Sequence, residues 1–228
     1  MKKVHFVFAL LVALFCSSCS NEPSIITTVD KIADGEWQCF TKEFVLLAPK
    51  SAELRIAADT KYWLFVNGEL VVREGGLKRG PNPTDSYCDV LNEVPNLKFG
   101  KNRVVVLVQY YGRDSYSHRV SAVPGLYFDM TTPLRHIVSD DSWQAVRYDA
   151  MWQPAHEHNL GGLRKYRLAG ANVGYDARKA LDFSGDIDTK SWDKAVIVER
   201  EESEWGNFVV RPIPFWRWSE LRSYESQQ

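Results

Sequence analysis

The sequence predicts an all-β fold, an antiparallel β-sandwich of the jelly-roll type. Short β-prone runs recur at close spacing, several of them alternate apolar and polar residues with a period of two, and no useful length carries the 3.6-residue period of an amphipathic helix. Aromatic residues make up 13% of the 228, with eight tryptophans among them, which suits both sandwich cores and the stacking of sugar rings.

The first element is a leader rather than part of the fold. Lys2 and Lys3 precede an apolar stretch from Val4 to Phe15, which is shorter than the ~20 residues a bilayer-spanning helix needs. It closes on Ser17 and Ser18 directly before Cys19, an order that resembles the bacterial lipoprotein box, in which the cysteine becomes the acylated first residue of the mature chain. Residues 1–19 are therefore read as a signal peptide with lipid-accepting, palmitate-bearing Cys19. Ser20 stands where inner-membrane retention favours Asp, so the expected location is the cell envelope, anchored in the outer membrane. Residues 20–33 are polar without a sustained period and are expected to be a tether.

The expected sandwich module covers 34–210, either as one unit or as 34–130 plus a second β portion, 131–210. It opens near Trp37. From Glu53 the chain alternates, with Leu54, Ile56 and Ala58 on one face and Glu53, Arg55 and Ala57 on the other. Tyr62 to Val66, Asn67-Gly68 and Glu69 to Val72 form a hairpin pattern, since both central turn residues must take positive φ and Asn-Gly does so cheaply. Gly75 to Pro83 reads as a loop. Gly100-Lys101-Asn102 turns into Val104 to Val108, an apolar run expected in a strand covered on both sides, and Leu126 to Met130 follows the Pro124-Gly125 break. Asp141-Ser142-Trp143 and Lys190-Ser191-Trp192-Asp193 read as two similar corners, with Trp on the sandwich and Asp and Ser satisfying turn backbone. Residues 211–228, with Pro212, Pro214, Phe215, Trp216 and Trp218, read as an extended tail leading towards a missing domain.

Charge narrows the function. Lys and Arg number 28 against 29 Asp and Glu, and loss of Lys2 and Lys3 with the leader leaves a net of −3. Nothing recommends nucleic acid as a partner. Of the cysteines beyond the anchor, Cys39 and Cys88 would meet an oxidising compartment, and a disulfide between them or two separately buried thiols are both open.

The hairpin Tyr62-Trp63-Leu64-Phe65-Val66-Asn67-Gly68, followed by Gly100-Lys101-Asn102 before Val104 to Val108, resembles the galactose-binding-like jelly roll that precedes the catalytic domain of many glycoside hydrolases. The order Tyr175-Asp176-Ala177-Arg178, Ser191-Trp192-Asp193-Lys194-Ala195 and Arg211-Pro212-Ile213-Pro214 resembles the N-terminal module of bacterial α-L-rhamnosidases. The resemblance covers nearly all of the mature chain. It implies that catalysis belongs to a separate helical barrel, whose acidic residues act on the glycosidic bond. The sequence carries no amphipathic helical series to build such a barrel, so none of the family's catalytic residues is carried over.

Candidate sites are few. Tyr110 to His118 follows a buried strand, and Tyr111, Arg113, Asp114, Tyr116 and His118 offer the stacking platform and directional polar groups a sugar site needs, though packing against another domain would use the same residues. Trp63 and Phe65 are expected to pack between the two sheets rather than to form a platform. His156-Glu157-His158 reads as a solvated pair rather than a metal site, because no third ligand is evident. No cofactor is implied, and calcium is neither required nor excluded. The expected function is a non-catalytic accessory or carbohydrate-binding module in glycan degradation; the alternatives are a free-standing carbohydrate-binding surface lipoprotein and a protein-interaction module. The expected partners are a rhamnose-containing glycan, the membrane through the lipid anchor, and a separate catalytic polypeptide.

Overall fold

The computed structural model describes residues 22–49, 51–76, 82, 85–112, 114, 123–153, 173–199 and 205–217. Cys19, Arg113, Tyr116, His118, His156, His158 and Trp218 lie outside them. The described residues form strands β1 (Ile25–Thr27), β2 (Trp37–Leu46), β3 (Glu53–Asp59), β4 (Lys61–Val66), β5 (Glu69–Gly75), β6 (Ser86–Leu91), β7 (Gly100–Gln109), β8 (Gly125–Thr131), β9 (His136–Val138), β10 (Gln144–Arg147), β11 (Met151–Trp152), β12 (Gly174–Tyr175), β13 (Asp193–Lys194), β14 (Val196–Val198) and β15 (Phe208–Val210), with one short 3-10 turn at Ala177–Lys179. No described helix is long and apolar enough to cross a membrane.

Two sheets form the sandwich. One has seven strands, in the order β14-β1-β8-β3-β6-β15 with β9 also on β8, and the other has six, in the order β13-β10-β2-β7-β4-β5. Pairing is antiparallel except for β15, which runs parallel to β6. The period of two sorts the side chains. Phe40, Leu54, Ile56, Leu64, Val104, Val106, Leu126 and Phe128 point between the sheets into one apolar core. Asn67 and Gly68 take φ of 50° and 92°, as the hairpin pattern requires. A Cβ at Gly68 would also stand 2.8 Å from the Ser184 carbonyl oxygen, so the segment lying over the hairpin requires glycine there as well.

Both corners form, but Asp140 and Asp188 satisfy their backbone rather than the predicted Asp141 and Asp193. The Asp140 carboxylate accepts from Ser142 N and the Asp188 carboxylate from Lys190 N, each one turn ahead of a tryptophan. Trp143 is fully buried, donates its indole N–H to the Val138 carbonyl at 2.7 Å and meets Phe128 edge-on. The strands that follow the corners, β10 and β13, pair with each other.

Two expectations are corrected and two open alternatives are decided. The tether stops short of 33, because Ile25–Thr27 is inserted between β14 and β8 with Ile26 fully buried. A three-residue strand is too short for periodicity to reveal, so its sheet partners decide it. Residues 131–210 are no second unit, since they supply strands to both sheets. Trp63 and Phe65 do not pack between the sheets. They face outward with Trp37 and Cys39 and are covered by Leu181, Phe183, Ile187 and Trp192, so they join a separate outer core. Cys39 and Cys88 are both free and buried. Cys39 lies on the outer face of the six-stranded sheet and Cys88 on the outer face of the other, so two sheets ~10 Å apart separate thiols that a disulfide would have to bring to a Cα distance of ~6 Å.

Candidate functional site

The outer face of the seven-stranded sheet carries a cleft of about 630 Å³, a size within the range of small-molecule sites. Alternation places it. Phe128 points into the core, so Tyr127 of β8 must point out, where it forms part of the floor with Ile25 of β1. Ile197, Val198 and Glu199 border one side, Trp205 to Phe208 the other, and Glu22, Pro23 and Ser24 complete the rim.

Its aromatic lining is ordered by packing. Trp205, 1% exposed, is held by its indole N–H to the Val123 carbonyl at 3.1 Å, and its ring stands nearly perpendicular to Phe208. Phe208 and Tyr127 are half-buried with centroids 4.4 Å apart, so their free faces form a small apolar platform. The Tyr127 hydroxyl donates to Asp129, whose other oxygen takes His136 Nε2 at 2.7 Å. Burial, followed by the Asp129 charge, raises the phenol well above its ordinary value, which keeps it a neutral donor. The polar residues of the lining are Glu22, Ser24, Glu199 and Asn207, the last of which donates its amide to Asp85.

A strap of residues 205–217 supplies one wall, and one buried ion pair fastens it. Arg211 Nε meets Asp89 Oδ1 at 2.7 Å, with the two side chains 7% and 1% exposed. Asp89 also accepts from the Tyr62 hydroxyl at 2.7 Å and from Gly76 N at 2.9 Å. The Arg211 guanidinium lies 4.5 Å over the Phe215 ring, and Phe215 packs on the main core. The expected tail is thus docked through Phe215, while Trp216 beyond it is 72% exposed.

The loop after β7, for which sugar binding and domain packing were both open, is described only in part. Tyr111 is 2% exposed, its N–H donates to the Thr60 hydroxyl and its own hydroxyl accepts from Gln153, so this ring is packed rather than offered for stacking. Asp114 is exposed, and Arg113, Tyr116 and His118 lie outside the described residues. Tyr175 ends β12, and Asp176 caps the 3-10 turn and pairs with Arg178 at 2.8 Å, so this motif closes on itself. Among the described residues no group of three His, Cys, Asp or Glu could hold a metal. Sequence reading missed the cleft because its parts come from β1, β8 and residues 197–208. The usable signal was Tyr127, a large aromatic on the outward side of an otherwise core-facing strand.

The fold and cleft define a β-sandwich module. No protein-family model and no curated protein matches the sequence. Among solved structures, the GH78 family rhamnosidase of Bacillus sp. GL1 is similar with a TM-score of 0.70 and 25% identity, over 86% of this chain and 20% of that one. The α-L-rhamnosidase of Dictyoglumus thermophilum shares the fold with a TM-score of 0.60 and 21% identity, over 85% of this chain and 22% of that one. That of Aspergillus terreus gives 0.56 and 20%, over 78% and 21%. The resemblance to the β-sandwich module of α-L-rhamnosidases therefore holds in three dimensions, and the chain spans about a fifth of the length of the enzymes it matches.

Proposed function

We propose that this protein is a non-catalytic glycan-binding module, lipid-anchored through Cys19 in the bacterial outer membrane, that serves the degradation of rhamnose-containing glycan beside a separate catalytic polypeptide. The observation that carries the reading is the cleft, whose lining combines the Tyr127–Phe208 aromatic pair with Glu22, Ser24, Glu199 and Asn207. An aromatic pair of this kind suits the apolar face of a pyranose, and the polar residues suit its hydroxyls. The likeness to rhamnosidases supplies the choice of sugar.

Calorimetric titration of residues 21–228 with L-rhamnose and rhamnose-containing oligosaccharides, with and without calcium, tests this. Saturable heat that disappears in Phe208→Ala assigns binding to the cleft. Heat that survives in Phe208→Ala and disappears in Tyr116→Ala or Arg113→Ala moves the site to the loop after β7. Folded protein that gives no heat with any glycan overturns the binding reading.

A further inference from the structure

A lipid anchor on a long tether and one on a short stub place a domain differently. Ile25–Thr27 is held by strands on both sides, with Ile25 opposite Val198 and Ile26 opposite both Ile197 and Leu126. Ser24 is tied too, since its N–H donates to the Ser139 carbonyl and its own carbonyl accepts from the Ser139 hydroxyl. The sandwich therefore begins five residues after Cys19. Glu22, already on the rim of the cleft, is three residues from that cysteine, and three extended residues reach at most ~11 Å. On the anchored reading above, the acyl chains of Cys19 would hold that residue at the bilayer surface.

We infer that the domain is held directly against the membrane, with the Glu22 to Ser24 rim of the cleft on the membrane side, and that the glycan it takes is one carried at that surface. The inference rests on the anchored, glycan-binding reading above. The opposite side of the sandwich, where Asp186 is fully exposed on the segment over the six-stranded sheet, faces away. A glycan chain standing off the membrane has to bend back to enter the cleft, whereas a saccharide headgroup in the same bilayer meets it at high effective concentration.

Full-length lipoprotein in vesicles tests this with a fluorophore at Asn207→Cys or Glu199→Cys on the cleft and at Asp186→Cys on the far side, with energy transfer to a headgroup acceptor. The two native thiols, Cys39 and Cys88, are buried and do not compete for label. Transfer from positions 207 and 199 is expected to exceed that from 186. Inserting about twenty Gly/Ser residues after Ser20, a coil of roughly 25 Å, should erase the difference. The same insertion should weaken capture of a rhamnose-headed glycolipid in the vesicle while leaving binding of the soluble oligosaccharide unchanged.

Transfer from 186 equal to or above that from 207 and 199 overturns the orientation. Binding of soluble oligosaccharide without any of the glycolipid overturns the membrane-borne ligand. A mature chain without acyl mass on Cys19 sinks the anchor reading and this inference with it. A chain that binds neither sugar form sinks the cleft reading instead, and the membrane-borne ligand with it.

Discussion

The six-stranded sheet turns Trp37, Cys39, Trp63, Phe65, Val105 and Leu107 outward and covers them with residues 180–192, so that this face becomes a second core. The seven-stranded sheet turns Ile25, Ala57, Cys88 and Tyr127 outward, and its cover is the narrower strap carrying Trp205 and Phe208. Apolar residues on the outer side of a strand mean one of two things: further chain lies over them, or a binding surface does. Among the described residues the two faces differ in the chain that lies over them, and the second is the face on which glycan binding is proposed. The closed face has Phe183 against both Phe65 and Tyr148. On the other face the described residues 197–199 and 205–208 line the cleft.

The comparison breaks most severely at the strap's fastening. Asp89→Ala leaves Arg211 as an uncompensated buried cation and removes the acceptor for Tyr62 and Gly76, so a loss of about 3–5 kcal/mol is expected in urea melts together with loss of glycan binding. Next is Phe183→Ala, which opens the closed face. Chemical denaturation should show roughly 2–3 kcal/mol lost from this half-buried ring, with glycan affinity unchanged because the cleft lies across the sandwich. Phe208→Ala sharpens the contrast from the other side: about 1–2 kcal/mol of stability is lost, and calorimetry should show binding weakened tenfold or more. If Phe183→Ala reduces affinity as much as Phe208→Ala does, the two faces are not independent.

The smallest effect is confined to alkaline pH. Burial pushes the Cys88 thiol up to about 11 from 9.0. A thiol raised in the folded state contributes stability that is fully present below its unfolded value and is lost as pH rises through the folded one. Relative to its own stability at pH 8, the wild type should therefore lose ~1 kcal/mol more than Cys88→Ala by pH 10, read from paired thermal melts. Cys39, fully buried in the closed core, is raised further, so neither thiol should react with an aqueous reagent in folded protein at pH 8.

Much of the sandwich was legible because its signals are local. Leu54, Ile56 and Ala58 alternate, Asn67-Gly68 fixes a turn by its own φ values, and the Asp140 and Asp188 corners bond to backbone two residues away. The cleft was not legible because it is assembled from segments far apart in sequence, 22–25, Tyr127, 197–199 and 205–208. Ile25, Tyr127, Val198 and Phe208 meet only after β1 and β14 pair and β15 docks beside β6. In the loop after β7, which collects aromatic and polar residues, Tyr111 turns inward. Composition reports which side chains are present, not which way they point.

The all-β class, the hairpin and the alternation along strands such as Glu53–Asp59 follow from the sequence, since a two-residue period and turn chemistry act within a few residues, whereas the side of the sheet to which Trp63 and Phe65 turn does not. Only the tertiary structure decided that Cys39 and Cys88 stand on opposite outer faces, that Ile25–Thr27 is a strand, and that one outer face closes while the other keeps a cleft. Those outcomes depend on which distant strands pair and where the connecting chain comes to lie, and a short segment such as Val196–Val198 or Phe208–Val210 acquires its role only from the partner beside it.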